Sequence, residues 1–139
     1  MEKLSSSAKL FTFLQVLYDL TDEEHPKTRE ELEEALLPFG ITLNRKTFYN
    51  YIETLQSVGI DIHRKKTDHF RYYVASRHFD FAESKLLIDA VQSSNFINKE
   101  KSEALIEKIS KLNSLYQAAN LKRKLYMSER SKSLTKNIY

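Results

Sequence analysis

Apolar residues recur at helical spacing in three successive stretches: Leu10, Phe13, Leu14 and Leu17; Leu32, Ala35, Leu36 and Phe39; Phe48, Tyr51, Ile52 and Leu55. Each set occupies positions i, i+3, i+4 and i+7, which share one face of an α-helix. Start and stop signals fall around them. The Ser5-Ser6-Ser7 cluster precedes the first helix, which the pattern extends to about Leu20, and a serine there can accept from the unpaired N–H groups of a first turn. Thr28, with Glu31 three residues on, forms a capping box for the second. Asn44 caps the third. Gly40 and Gly59, the two glycines of the chain, stand where helices two and three should close in the left-handed conformation. Three helices with matching stripes predict one small shared core.

After Gly59 the period changes. Ile60 and Ile62, then Phe70, Tyr72 and Val74, alternate with polar residues as half-buried strands do. His63-Arg64-Lys65-Lys66-Thr67-Asp68-His69 between them reads as the polar tip of a two-stranded hairpin. Three helices followed by a basic hairpin describe a winged helix-turn-helix. A second helical block opens at Asp80, which pairs with Glu83 in another capping box ahead of Leu86, Leu87, Ala90 and Val91. A break over residues 93–98 precedes a further helix with Leu105, Ile106, Ile109 and Leu112 in register. The expected fold is therefore mostly α with a small β-hairpin. It divides into a winged helix-turn-helix over residues 1–78, a helical linker over 79–120, and a basic segment over 121–139 whose structure the pattern leaves open. The linker helices bury little alone, so they call for packing on each other, on the first domain, or on a second copy of the chain. A homodimer is the expected assembly, with an intramolecular helical hairpin as the alternative.

Charge changes the picture more by its placement than by its total of +3. Residues 22–34 hold seven acids against two bases, whereas 41–76 hold six bases against three acids. From 120 to 139 there are six bases and a single acid, Glu129. Such segregation predicts a basic face suited to a polyanion and an acidic one turned away from it.

The third helix concentrates the candidate chemistry. Opposite its apolar stripe lie Arg45, Lys46, Tyr49, Asn50 and Glu53, long or planar hydrogen-bonding side chains of the kind that read base edges in a major groove. Two bases in the first turn oppose the helix dipole, a mild cost that phosphates or guanine edges would offset. Arg45 or Lys46 can contact guanine O6 and N7, Asn50 has the bidentate geometry for adenine, and Glu53 can accept from cytosine N4. Tyr49 suits either a phosphate or a thymine methyl, and Thr47 a phosphate or a capping role. Arg64, Lys65 and Lys66, placed by the pattern at the wing tip, add backbone charge.

Catalytic chemistry finds no foothold. His25, His63, His69 and His78 match no metal-binding spacing, and no serine or carboxylate arrangement points to nucleophilic catalysis. The Asp22-Glu23-Glu24 cluster lacks the spacing and glycine of a calcium loop. Both glycines are spent on helix ends, so neither serves a phosphate-binding loop. Neither enzymatic activity, nor a metal, nor a cofactor is expected. The absence of cysteine excludes disulfides and thiol chemistry. No stretch approaches the roughly 20 apolar residues of a membrane span, and the N-terminus lacks a signal-peptide core, so a cytoplasmic protein with no membrane partner is expected. The rival to DNA binding is a protein-protein interaction module built on a winged-helix scaffold, docking through Tyr49, Tyr72, Tyr73 and Tyr116.

The segment Lys46-Thr47-Phe48-Tyr49-Asn50-Tyr51-Ile52-Glu53-Thr54-Leu55, followed by Gly59-Ile60-Asp61-Ile62, resembles the recognition helix and wing entry of DeoR-like bacterial transcriptional regulators of the WYL-domain type. Phe81-Ala82-Glu83-Ser84-Lys85-Leu86-Leu87-Ile88-Asp89-Ala90-Val91 is similar to their linker helix, and residues 129–139 look like the lead into the WYL domain. The resemblance implies double-stranded DNA as partner and transcription regulation as role. Members usually carry Arg-Asp where this chain has Asn50-Tyr51, and a glycine pair in the wing that is missing here, so base preference should differ. The chain has no tryptophan and stops before any WYL domain, the part to which effector sensing is assigned, which fits a fragment of a longer regulator or a shortened one.

Overall fold

The protein is described here by a computed structural model covering residues 4–123. The described residues form two compact units that divide between Arg77 and His78. The first is built of α1 (Ser6–Leu20), β1 (Lys27–Thr28), α2 (Arg29–Leu36), α3 (Arg45–Ser57), β2 (Ile62–Lys66) and β3 (Phe70–Val74). Its strands make a three-stranded antiparallel sheet in the order β1-β3-β2.

Local chemistry sets the helix ends where the pattern put them. The Ser5 hydroxyl accepts from the Ala8 N–H at 3.1 Å, and the Thr28 and Glu31 side chains satisfy each other's backbone N–H groups. Asn44 Oδ1 accepts from the Thr47 N–H at 2.8 Å. Gly40 and Gly59 take φ values of 73° and 98°, the left-handed region that a Cβ disfavours. Phe13, Leu17, Leu32, Leu36 and Phe48 are fully buried and bring the three stripes together. Phe48 sits at the centre, edge-on to Phe13 at 5.5 Å and to Tyr72 of β3 at 5.4 Å.

Three expectations change in this unit. Phe39 is 55% exposed, outside the stripe assigned to it. Pro38 has no N–H to give the carbonyl four residues back, so the α-helix ends at Leu36 and a 3-10 turn, Leu37–Phe39, carries Phe39 off the buried face. The hairpin's turn is short: Arg64, Lys65 and Lys66 belong to β2, and the turn itself is Thr67-Asp68-His69. Finally, β1 adds a strand, pairing Lys27 with Tyr72 and Thr28 with Arg71.

A buried Thr21 ties the end of α1 to the sheet. Its hydroxyl donates to the Leu17 carbonyl at 2.6 Å and accepts from the Val74 N–H at 3.1 Å. Arg77, the last residue of the unit, donates to the Thr21 carbonyl and lies over the Tyr18 ring at 5.3 Å.

The second unit contains α4 (Phe81–Ser93), α5 (Lys99–Ser110) and a helical stretch over 115–123. Asp80 and Glu83 form the anticipated capping box, and Asn98 caps α5. Ile88, Ile106, Ile109 and Leu121 form the core, with Phe81, Leu87 and Val91 packed against it. The stripe is displaced from the expected one: Leu86 is 70% exposed and Ala90 is exposed, while Ser84 and Ile88 face inward. Leu105 and Leu112 are likewise exposed. A buried polar seam accounts for the rotation, since Asn113 Nδ2 donates to Ser84 Oγ at 2.9 Å and holds that side of α4 inward. Residues 124–139, including the segment resembling a WYL lead-in, lie outside the described residues. No helix among the described residues is long and apolar enough to cross a membrane.

Candidate nucleic-acid interface

Burying Phe48, Ile52 and Leu55 fixes the azimuth of α3, so the residues half a turn away must face outward. Lys46, Asn50 and Glu53 form that outward row, all exposed and at i, i+4 and i+7. Thr47 is half-buried and its backbone N–H is already held by the Asn44 cap. Arg45 and Tyr49 stand four residues apart on the flank toward the hairpin, with the Arg45 guanidinium 5.8 Å from the Tyr49 ring centre. The helical candidates are thus divided between an outward row and a flank.

Strand alternation divides the hairpin candidates too. In the β2–β3 register Arg64 opposes Tyr72 and Lys66 opposes Phe70, whereas Lys65 opposes Arg71. Directly opposed residues project from the same face of a sheet. Tyr72 reaches Phe48 and Tyr49, so Arg64 and Lys66 share the face that meets α3. Their cationic groups lie 4.2 Å and 5.3 Å from the Phe70 ring centre. Lys65 points the other way, donating to the Glu23 carbonyl at 3.2 Å and lying over Tyr73.

Where flank and hairpin meet there is a cleft of about 280 Å³, lined by Arg29, Glu30, Arg45, Tyr49, His69, Phe70 and Tyr72. Phe48 backs its floor, its ring centre 5.5 Å from that of Tyr49 and 5.4 Å from that of Tyr72. Burial pushes the Tyr49 phenol up, but the neighbouring Tyr72 hydroxyl and the guanidiniums of Arg45 and Arg29 outweigh it and hold the phenol below its ordinary pKa. Burial, with Tyr49 as neighbour, raises Tyr72.

Acids reach this region as well. Arg29 pairs with Glu33 at 3.0 Å and Glu30 at 3.1 Å, and Glu30 lines the cleft. The acidic second helix is therefore not wholly turned away from the candidate face, because its first turn abuts the N-terminal half of α3. Arg29, Glu30, His69 and Phe70 escaped the sequence reading as site residues, and Tyr72 entered it only in the docking patch of the rival reading. The period-2 pattern across β3 was the available signal, and it placed Phe70 and Tyr72 on one side of a half-buried strand without linking them to α2 or α3. Of the tyrosines in the rival reading, Tyr72 and Tyr73 are 4% and 8% exposed, Tyr49 is half-buried, and Tyr116 belongs to the second unit. No protein-family model, curated protein or solved structure matches the chain.

Proposed function

We propose that this chain is a sequence-specific DNA-binding transcriptional regulator of the DeoR-like winged helix-turn-helix kind. In this reading α2, the connection at 37–44 and α3 form the helix-turn-helix, and β2–β3 is the wing. The observation that carries it is the outward row Lys46, Asn50 and Glu53 on a helix whose neighbouring hairpin face carries Arg64 and Lys66. A helix in a major groove needs base-reading side chains along its outer face and cations beside it for the phosphates, in that order across the surface. Asn50 at the centre of the row reads adenine, Lys46 guanine, and the wing cations hold the backbone.

A dimer completes the proposal. Leu86 and Ala90 on α4 are exposed in the second unit, and Phe96 between α4 and α5 is fully exposed, apolar surface that a second copy would cover. Two copies would set their recognition helices about 34–36 Å apart on an inverted repeat.

Binding of the full chain to random duplexes at several salt concentrations, followed by selection of preferred sequences, tests the reading. Salt-steep binding with an enriched inverted repeat is expected. Asn50→Ala should cost the preferred sequence about 1–3 kcal/mol and leave random DNA unaffected. No binding at low salt would transfer the assignment to a protein-interaction module.

A further inference from the structure

Resting on the DNA-binding reading, we infer that Phe70 is the positioning residue of the wing: its ring gathers Arg64 and Lys66 into a paired clamp for the phosphates of one DNA strand.

The basic residues of the hairpin sort by face. On the face away from α3 each has an oxygen partner: His63 meets Asp61 at 2.7 Å, Lys65 the Glu23 carbonyl at 3.2 Å, and Arg71 both Glu31 at 3.0 Å and Asp68 at 3.4 Å. On the face toward α3 neither Arg64 nor Lys66 enters an ion pair among the described residues. What both meet is a phenyl ring. The Arg64 guanidinium lies 4.2 Å and the Lys66 ammonium 5.3 Å from the centre of Phe70.

Alternate residues of a strand stand side by side on one face, ~6.8 Å apart, so two cations placed there repel. A carboxylate opposite Lys66 would relieve that repulsion and cancel the charge. The residue that does oppose Lys66 is Phe70, 41% exposed near the end of the hairpin. The negative face of its ring attracts both cations while leaving their charge whole and occupying none of their N–H donors. Two long side chains are thereby ordered before a partner arrives, which lowers the entropy lost on binding. The partner this suits is a row of anions with oxygen acceptors, and the clamp stands beside the helix whose outer row would enter the groove. Because the cations already lie over the ring, Phe70 acts through them and not as a platform for a base.

The test is affinity of the full chain for random duplex DNA at two salt concentrations, with folding checked by circular dichroism. Phe70→Leu keeps an apolar side chain and removes the ring. It should weaken binding about threefold to tenfold with the salt slope unchanged, since both charges remain. Phe70→Tyr, which keeps the ring, should bind as the native chain does. In a chain already carrying Arg64→Ala and Lys66→Ala, Phe70→Leu should weaken binding no further, because the ring has nothing left to hold. A weakening there as large as in the native chain would show that Phe70 touches the strand itself or merely supports the hairpin, and would overturn the clamp. If Phe70→Leu loses its fold, proton NMR of the native chain decides: ring-current shifts of the Arg64 δ and Lys66 ε methylene protons should persist when duplex is added, and their collapse would overturn the clamp. Salt-steep native binding that Phe70→Leu leaves unchanged or tightens overturns the clamp and leaves the DNA reading standing. A native chain that binds no duplex at low salt overturns both.

Discussion

Arg64→Ala and Lys65→Ala remove adjacent cations of one strand and should behave differently on DNA. Alternation puts Arg64 on the sheet face shared with Tyr72 and α3, and Lys65 on the reverse face, where it is engaged by the Glu23 carbonyl. Each phosphate neutralised contributes about −0.9 to the slope of log affinity against log salt, so a fourfold rise in salt, from about 50 to about 200 mM, weakens each such contact about 3.5-fold. The ratio of variant to native Kd should therefore shrink by about 3.5-fold over that range for Arg64→Ala and stay constant for Lys65→Ala. Fluorescence anisotropy with one labelled duplex measures both. Arg64 also lies over the Phe70 ring at 4.2 Å, so its removal can loosen the hairpin. Lys66→Ala probes the same face with only a ring contact at stake, and a urea midpoint shows whether either variant has lost stability. If Lys65→Ala changes the ratio as much as Arg64→Ala does, the two-faced account of the wing is refuted.

Three further outcomes follow from the buried and exposed polar groups. Thr21→Val keeps shape but leaves the Val74 N–H without its acceptor, and should lower stability by about 1–3 kcal/mol in urea unfolding followed by tyrosine fluorescence; an unchanged midpoint would show that the bridge adds nothing. Asp68, held by the Thr67 hydroxyl, the His69 N–H and Arg71, has its carboxyl lowered from 3.8 to about 2. A depressed folded pKa means the stabilisation is complete above the unfolded value and disappears as pH falls from about 4 through about 2, so a carboxyl-carbon NMR titration should place the Asp68 midpoint well below those of freely solvated aspartates. Ser84→Ala takes the nearer of two acceptors from a buried Asn113 whose Oδ1 has no hydrogen bond among the described residues, and should cost about 1–3 kcal/mol, with the double change Ser84→Ala, Asn113→Leu recovering part of it.

Caps were the most legible part of this fold in the sequence. Ser5, Thr28 with Glu31, Asn44 and Asp80 with Glu83 each act within four residues, so the chain itself names both partners. The three-helix core was legible for the same reason, through spacing that repeats locally. What escaped was set at long range. Strand β1 is two residues that become a strand because Tyr72 and Arg71, more than forty positions away, offer them hydrogen bonds. The inward face of α4 was misread because a serine, counted as polar, is turned inside by Asn113 of a later turn. In the candidate site, the row Lys46, Asn50 and Glu53 followed from helical period, while the separation of Lys65 from Arg64 and Lys66 required knowing that β2 extends through all three. The cleft was invisible, since α2, α3 and β3 each contribute residues whose meeting no local pattern encodes.

Arg77 gives the first unit a defined mechanical exit. The chain leaves β3 at Val74, and three residues later the guanidinium is fastened to the Thr21 carbonyl and laid on Tyr18, with Asp22 and Asp19 adding attraction that offsets part of the cost of burying its charge. Tension arriving from residue 78 onward is consequently taken up at the end of α1 before it reaches the hairpin. From there a packed route runs along α1 to Phe13 and across its edge-on contact into Phe48, the underside of α3. A pull on the tail would be felt by the helix from beneath, through its buried face, while the side chains on its outer row keep their spacing.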